Sequence, residues 1–342
     1  MGFEILRHGA LSTVQDKGRR GFLSQGIQES GACDKYSMKL ANLLAGNLED
    51  PETAAVIEFT IKGGELRFTS DEIISLTGGD MKPCINGFPV PMFSPILVRT
   101  GDILTMELAV SGLRTYMAVY GGVEVPPVMG SRSTNLKCRI GGFEGRALLE
   151  GDHLESDKNL RQFKKTIKKL KGNEKLAAVG ENERWLRHSS TPYRFYGSDR
   201  IVLLRAVMGP QEDAFTELGL NTLIRNPFRL SMDCDRMACK LEGEPIEIKN
   251  GADIISDGIV EGSVQISSDR LPMVLMADHQ TTGGYAKIAT VISTDIPALA
   301  QLKPGEWVAF QYVTPGEAVA ICRKEEEKLM SFKERLRNVI YR

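Results

Sequence analysis

Long apolar runs are missing from this chain of 342 residues. No stretch approaches the roughly 20 apolar residues that a membrane span needs. Residues 1–30 carry charges throughout, so no signal-peptide core is expected either. Net charge is also missing: 43 Lys and Arg against 44 Asp and Glu leave −1, and nothing global steers the chain toward nucleic acid or an anionic membrane. Cysteine and histidine are sparse. Cys33, Cys84, Cys138, Cys234, Cys239 and Cys322 are too dispersed for the compact disulfide framework of a small secreted domain, so a reduced, cytoplasmic setting is expected. Only Cys234 and Cys239 are near neighbours, and His8, His153, His188 and His279 form no paired-ligand spacing. No metal site is expected.

Several chemical signatures are absent as well. No glycine-rich loop ends in the lysine of a P-loop, because Gly130-Ser131-Arg132-Ser133-Thr134 lacks both the residue and the spacing. There is no Gly-x-Ser-x-Gly elbow, and no lysine lies in the Met-Lys-Met setting of a biotin carrier.

Glycine, by contrast, is abundant. Its 34 residues are about 10% of the chain, against a usual share of roughly 7%, which predicts many tight turns between short strands. Such a length exceeds the usual single-core domain of roughly 100–200 residues, so two domains are expected. A charge anomaly marks the division. Residues 155–195 hold eleven Lys and Arg against five Asp and Glu, with no aromatic platform among the lysines, and read as a solvated, partly helical connector. The expected layout is a β domain over 1–154, the connector over 155–195, a β domain over 196–322 and an amphipathic helix over 323–342.

Strands are predicted at residues 55–60, 65–68, 72–77 and 103–108, then at 201–207, 245–249, 271–277, 287–292 and 307–313. Asn86-Gly87 signals a type I′ hairpin. One helix is clear over residues 35–45, with Tyr36, Leu40, Leu43 and Leu44 on one face and Gly46 as its stop. A last helix starts at Thr314, with Pro315 in its first turn and Glu317 completing a capping box. Two similarities hint at duplication: the turns before Ile103 and Trp307, and the strings Cys33-Asp34-Lys35 and Cys234-Asp235-Arg236. Two β-barrel-like domains are the simplest architecture.

Four glycine-rich loops concentrate polar groups. Gln15-Asp16-Lys17-Gly18-Arg19-Arg20-Gly21 sets two arginines on a turn. Ser30-Gly31-Ala32-Cys33-Asp34 ends on a carboxylate that serves either as a helix cap or as an acid–base group. The third loop holds Arg132 among hydroxyls. The densest, Asp278-His279-Gln280-Thr281-Thr282-Gly283-Gly284-Tyr285, follows an apolar run, a common setting for a site on a rigid scaffold. Each loop reads either as turn chemistry or as recognition of a small anion, for which arginine offers a bidentate fork.

Taken in order, these loops resemble the allophanate hydrolase subunit 2 family. Further agreement comes from Ala41-Asn42-Leu43-Leu44-Ala45-Gly46-Asn47, Tyr120-Gly121-Gly122, Gly141-Gly142-Phe143-Glu144-Gly145-Arg146, Gly209-Pro210-Gln211 and Leu241-Glu242-Gly243. The resemblance implies two cyclophilin-like β-barrel domains with a few short helices. It also implies a subunit that works with a B-like (KipI-like) and an A-like subunit to hydrolyse 5-oxoproline to L-glutamate with cleavage of ATP, which implies Mg²⁺ bound with the nucleotide. Two other roles occur among such relatives: a KipA-like regulatory protein that antagonises a KipI-type kinase inhibitor, and a carboxyltransferase subunit acting on a urea-like amide. On this reading Asp34, Asp235 and Asp278 handle protons or a metal held with the nucleotide, while Arg19, Arg132 and Arg236, with His279, Gln280, Thr281 and Tyr285, hold substrate carboxylate and phosphate. The chain departs from the family pattern at Cys33 (usually Met), His279 (usually Arg), and Cys234 and Ala238 (usually Ser and Gly).

Overall fold

The computed structural model describes residues 2–157, 159–171, 190–196, 199–249, 251 and 253–341. The expected mainly β fold is what forms, and it divides into two compact units. The first comprises Met1–Arg19, Ser30–His188 and Lys328–Arg342, and the second Arg20–Glu29 and Ser189–Glu327. Of the basic connector, residues 158 and 172–189 lie outside the described residues. Among the described residues the α-helices are α1 (Lys35–Ala45), α2 (Leu160–Lys171), α3 (Glu217–Arg225), α4 (Ile296–Ala300) and α5 (Pro315–Tyr341).

Unit 1 is built of two antiparallel sheets. The larger runs in the order Val123–Glu124, His153–Ser156, Gly2–Arg7, Glu65–Phe68, Ile103–Thr105, Cys84–Ile85 and Phe88–Pro89. The smaller runs Leu11–Gln15, Val56–Thr60, Ser111–Val119, Glu72–Asp80 and Pro95–Val98. Alternation along each strand sends one set of side chains inward. Phe3, Ile5, Leu66 and Phe68 of the larger sheet thus share one core with Val14, Ile57, Phe59, Leu76 and Met117 of the smaller. The Asn86-Gly87 hairpin forms as its turn chemistry requires, with φ of 51° and 82° at the two turn residues.

Helix α1 matches its sequence pattern. The Asp34 carboxylate caps it by accepting from the Ser37 amide at 2.7 Å, and Gly46 closes it at φ 96°. Tyr36, Leu40, Leu43 and Leu44 pack with Phe93, Phe332 and Leu336, the last two from the end of α5. Its opposite face, Met38, Ala41 and Ala45, lies on Val56, Tyr116 and Ala118 of the smaller sheet. Hydroxyls of Ser75 and Thr77 also donate to the carbonyls of Ala41 and Ser37, at 2.6 and 2.7 Å, using helix carbonyls as acceptors along that face. Part of the predicted connector is helical: α2 seats Phe163 against Tyr120, ring centroids 5.5 Å apart.

Unit 2 contains a closed barrel of seven strands. Asp199–Met208 pairs with Lys287–Val291, followed round the ring by Ser263–Ile266, Pro272–Leu275, Ala238–Glu242, Phe228–Cys234 and Trp307–Tyr312. Trp307–Tyr312 then returns to Asp199–Met208 in parallel, from Ile201↔Trp307 to Ala206↔Tyr312, and closes the ring. Closure removes the unpaired edges that an open sheet exposes. Beside the barrel, Asp253–Gly258 and Thr282–Tyr285 form a two-stranded ribbon.

Two expectations need revision. The predicted strand at 245–249 does not form. There the Ile246 and Lys249 amides donate to the carbonyls of Arg270 and Ala214, tying the segment to loops and leaving only an isolated bridge at Ile248. Strands Phe228–Cys234 and Ala238–Glu242, which carry charged residues between apolar ones, form where none was predicted. The final helix forms as its sequence suggests: α5 runs unbroken for 27 residues from its Thr314–Glu317 capping box.

One local device recurs in both units. In Arg99–Asp102, Leu149–Asp152 and Lys303–Glu306 the acid's amide donates to the first residue's carbonyl, at 3.0, 3.2 and 3.1 Å. Its carboxylate accepts the first residue's amide in return, at 2.8, 2.7 and 2.5 Å. The third residue is glycine at φ 92°, 87° and 93°, the left-handed position of a type II turn. The resemblance between the turns before Ile103 and Trp307 is therefore physical.

Candidate functional site

In unit 1 the loop after Leu11–Gln15 is organised by Asp16, which is 1% exposed. Its Oδ1 accepts from the Gly18 amide at 2.8 Å and from the hydroxyls of Ser131 and Ser133, each at 2.6 Å. Its Oδ2 accepts from the Arg132 amide at 2.6 Å. Arg19, also buried, donates to the Ser133 carbonyl. Gly141 makes room for this contact: a β-carbon there would sit 2.2 Å from that carbonyl and 2.5 Å from the Arg19 guanidinium. Arg132 is half-buried; its Nε donates to the Val125 carbonyl at 3.1 Å, and it forms no ion pair among the described residues. Arg19 and Arg132 are thus brought to the same loop.

Asp34 belongs to a different network. Besides capping α1, it accepts from the Ser37 hydroxyl at 2.6 Å, and its amide donates to the Tyr116 hydroxyl at 2.8 Å. That hydroxyl donates to Glu58 at 2.8 Å, and Glu58 also accepts from the Cys33 amide at 2.9 Å. Burial, reinforced by the charges of Glu58 and Asp34, pushes the Tyr116 phenol well above its ordinary range, so it stays protonated and keeps donating. A separate open cleft of about 600 Å³ in unit 1 is lined by Asp80, Lys82, Cys84, Met92, Phe93 and Ser111, and includes none of the sequence-predicted residues.

In unit 2 the predicted residues gather more closely. Arg236 grips Asp278 bidentately, Nε to Oδ2 at 2.8 Å and Nη2 to Oδ1 at 3.1 Å, with both side chains more than nine-tenths buried. The Asp278 amide donates to the Arg236 carbonyl at 2.7 Å, and Gln28 donates to the Asp278 carbonyl at 2.8 Å. His279 is buried, and its Nδ1 lies 2.6 Å from the Gln280 carbonyl, a contact that requires the proton on Nδ1. Asp235 is exposed and accepts from the amides of Met237 and Ala238 at 2.6 and 3.1 Å, as the organiser of a hairpin turn. Gln280 is exposed, while Thr281 and Tyr285 are half-buried.

A second charged pair stands beside this loop, and sequence reasoning missed it. Lys287 is buried, yet its Nζ donates to Asp257 at 2.5 Å and to the Gly258 carbonyl at 2.9 Å. Gln211 joins them, accepting from the Lys287 amide at 3.1 Å and donating to Asp257 at 3.3 Å. Asp257 itself is 54% exposed. The Lys287 ammonium, helped by the Gly258 amide, holds the Asp257 carboxyl below its ordinary value. Opposite Gly283, a β-carbon would lie 2.5 Å from Gln265 Nε2, a buried amide nitrogen with no hydrogen-bond partner among the described residues. The available signal was a charged residue at an inward position of the apolar strand Lys287–Val291.

The chain thus consists of an open two-sheet unit and a unit with a closed barrel whose neighbouring loops carry paired charges. The family described as "Carboxyltransferase domain, subdomain A and B" matches residues 25–312, and the chain belongs to that family. It is 33% identical to the C subunit of 5-oxoprolinase from Escherichia coli (strain K12) over 335 residues, covering 98% of this chain and 99% of that one. Its identity to the same subunit from Haemophilus influenzae is 34% over 326 residues, covering 94% and 95%. The urea amidolyase of Lachancea kluyveri is 30% identical over 339 residues, where the match spans 95% of this chain but 17% of the larger protein. In fold the chain is similar to Kluyveromyces lactis urea carboxylase, with a TM-score of 0.82 and 24% identity over 97% of this chain and 29% of that one. No helix among the described residues is long and apolar enough to cross a membrane.

Proposed function

We propose that this chain is the C-type subunit of an ATP-dependent 5-oxoprolinase and acts with A-like and B-like subunits. The observation that carries the reading is coverage: the match to the C subunits of two 5-oxoprolinases runs nearly end to end in both chains. The urea amidolyase match instead occupies a small part of a far longer protein.

Opening the lactam of 5-oxoproline with ATP presents two anions to the protein, the substrate carboxylate and the transferred phosphate. Arg132 of unit 1 is an anion-binding candidate on its own account, because its guanidinium pairs with no carboxylate among the described residues, whereas Arg236 is held by Asp278. Lys287 suits the substrate carboxylate. Its resting partner Asp257 is half-exposed, so an incoming carboxylate replaces it without leaving a buried charge unpaired. His279, whose proton is fixed on Nδ1, offers Nε2 as an acceptor when neutral. Asp278 neutralises Arg236 and positions the loop.

The test is reconstitution. The three subunits together should release phosphate from ATP only when 5-oxoproline is added. Phosphate release that ignores 5-oxoproline, or its absence, would overturn the reading. The family match to carboxyltransferase domains supports one alternative, carboxyl transfer to a urea-like amide, and the same assembly supplied with a carboxybiotin carrier would reveal it.

A further inference from the structure

Cys234 and Cys239 face each other across the hairpin formed by Phe228–Cys234 and Ala238–Glu242, as direct partners in the antiparallel register. The Asp235 amide donates to the Ala238 carbonyl at 3.1 Å, which makes Asp235 and Ala238 the hydrogen-bonded pair next to the turn. Pairs alternate along an antiparallel ladder, so Cys234 and Cys239 occupy a non-hydrogen-bonded position. At such positions the α-carbons approach to about 4.5 Å with both side chains on one face. A disulfide requires roughly 4.4–6.8 Å. Both cysteines are reduced, Cys234 half-buried and Cys239 buried.

We propose that Cys234 and Cys239 are a redox modification site, closing to a cross-strand disulfide when a low-molecular-weight disulfide such as oxidised glutathione reaches Cys234. The difference in exposure sets the order of events. The Cys234 thiolate attacks one sulfur of the small disulfide, forming a mixed disulfide and expelling one small thiolate, which takes up the proton lost by Cys234. The Cys239 thiolate then attacks the Cys234 sulfur. The protein disulfide forms, the mixed disulfide breaks, and the second small thiol leaves with the proton lost by Cys239. Two protein thiols are oxidised and one small disulfide is reduced to two thiols. Cys239 needs access only to Cys234, so its burial is no obstacle. The ring encloses Arg236, the residue that grips Asp278, and oxidation therefore pins the turn that carries this ion pair. The site does not depend on the 5-oxoprolinase reading, because it rests on strand register alone.

The experiment is exposure of the folded full-length chain to excess oxidised glutathione, quenching with an alkylating agent, and tryptic mapping without reduction. Trypsin cuts after Arg229, Arg236 and Lys240 and so separates the two cysteines into peptides 230–236 and 237–240. The expected product is these two peptides joined, lighter by two hydrogens than their sum and separated by dithiothreitol. Cys239→Ser should instead stop at the mixed disulfide and carry one glutathionyl group on Cys234. The proposal is overturned if the wild-type chain retains glutathione on Cys234, if Cys234 is recovered alkylated, or if it is bridged to any cysteine other than Cys239.

Discussion

Two carboxylates, one in each unit, are compensated in opposite ways. Asp16 of unit 1 is enclosed by neutral donors: two hydroxyls and two backbone amides. Asp278 of unit 2 is enclosed by a cation, and nearby Asp257 is met by another. Neutral donors belong to loops fixed in place, so Asp16 fastens the segments around residues 16 and 131–133 to each other. A charged partner is different, because another anion competes for it. On the proposed function, structural work falls to Asp16 and recognition to the Lys287–Asp257 pair.

The contrast can be broken by substitution. The largest effect is expected for Arg236→Met, which strands the Asp278 carboxylate in the interior; breaking a buried ion pair from one side typically costs about 3–5 kcal/mol. Urea unfolding should show this loss, and Arg236→Met with Asp278→Leu should recover much of it. Asp16→Asn is expected to cost about 2–3 kcal/mol, since an amide nitrogen then confronts a hydroxyl or backbone donor in a buried site. Gly283→Ala comes next, at about 1–3 kcal/mol, because its β-carbon drives against Gln265 Nε2. A cost below about 0.5 kcal/mol would show that Gln265 simply moves aside.

Lys287→Met should change stability least, by under about 1 kcal/mol, because it removes a buried ammonium and leaves Asp257 hydrated. Its signature lies in titration. The folded-state Asp257 carboxyl is held below its ordinary 3.8, so its contribution to stability is complete above that value and is lost as pH falls through the folded value. In Lys287→Met the Asp257 carboxyl should titrate closer to 3.8, as read by carboxyl NMR. An unchanged titration would mean that the Gly258 amide and Gln211 set it without the ammonium.

How much of this was legible follows from the range of the interactions. Helix α1 was readable because its cap, its apolar face and its stop lie within 13 consecutive residues. The Asn86-Gly87 hairpin and the Thr314–Glu317 cap are equally local. The shared Cys-Asp string misled for the same reason: Asp34 caps a helix while Asp235 organises a hairpin turn, and what precedes and follows each string decides which. Lys287 was invisible as a site residue because its partners lie 30 residues away at Asp257 and 76 away at Gln211. The Gln28–Asp278 contact, across 250 residues, has no sequence signal at all. Barrel closure is of this kind too, since nothing within Asp199–Met208 announces a parallel partner at Trp307–Tyr312.

The central claim, that the Lys287–Asp257 pair of unit 2 recognises substrate, is tested most directly by the kinetics of the three-subunit assembly carrying Lys287→Met. The account predicts a rise of at least about tenfold in the KM for 5-oxoproline, with the KM for ATP and the thermal midpoint nearly unchanged. An unaltered KM for 5-oxoproline in a folded, active assembly would contradict it.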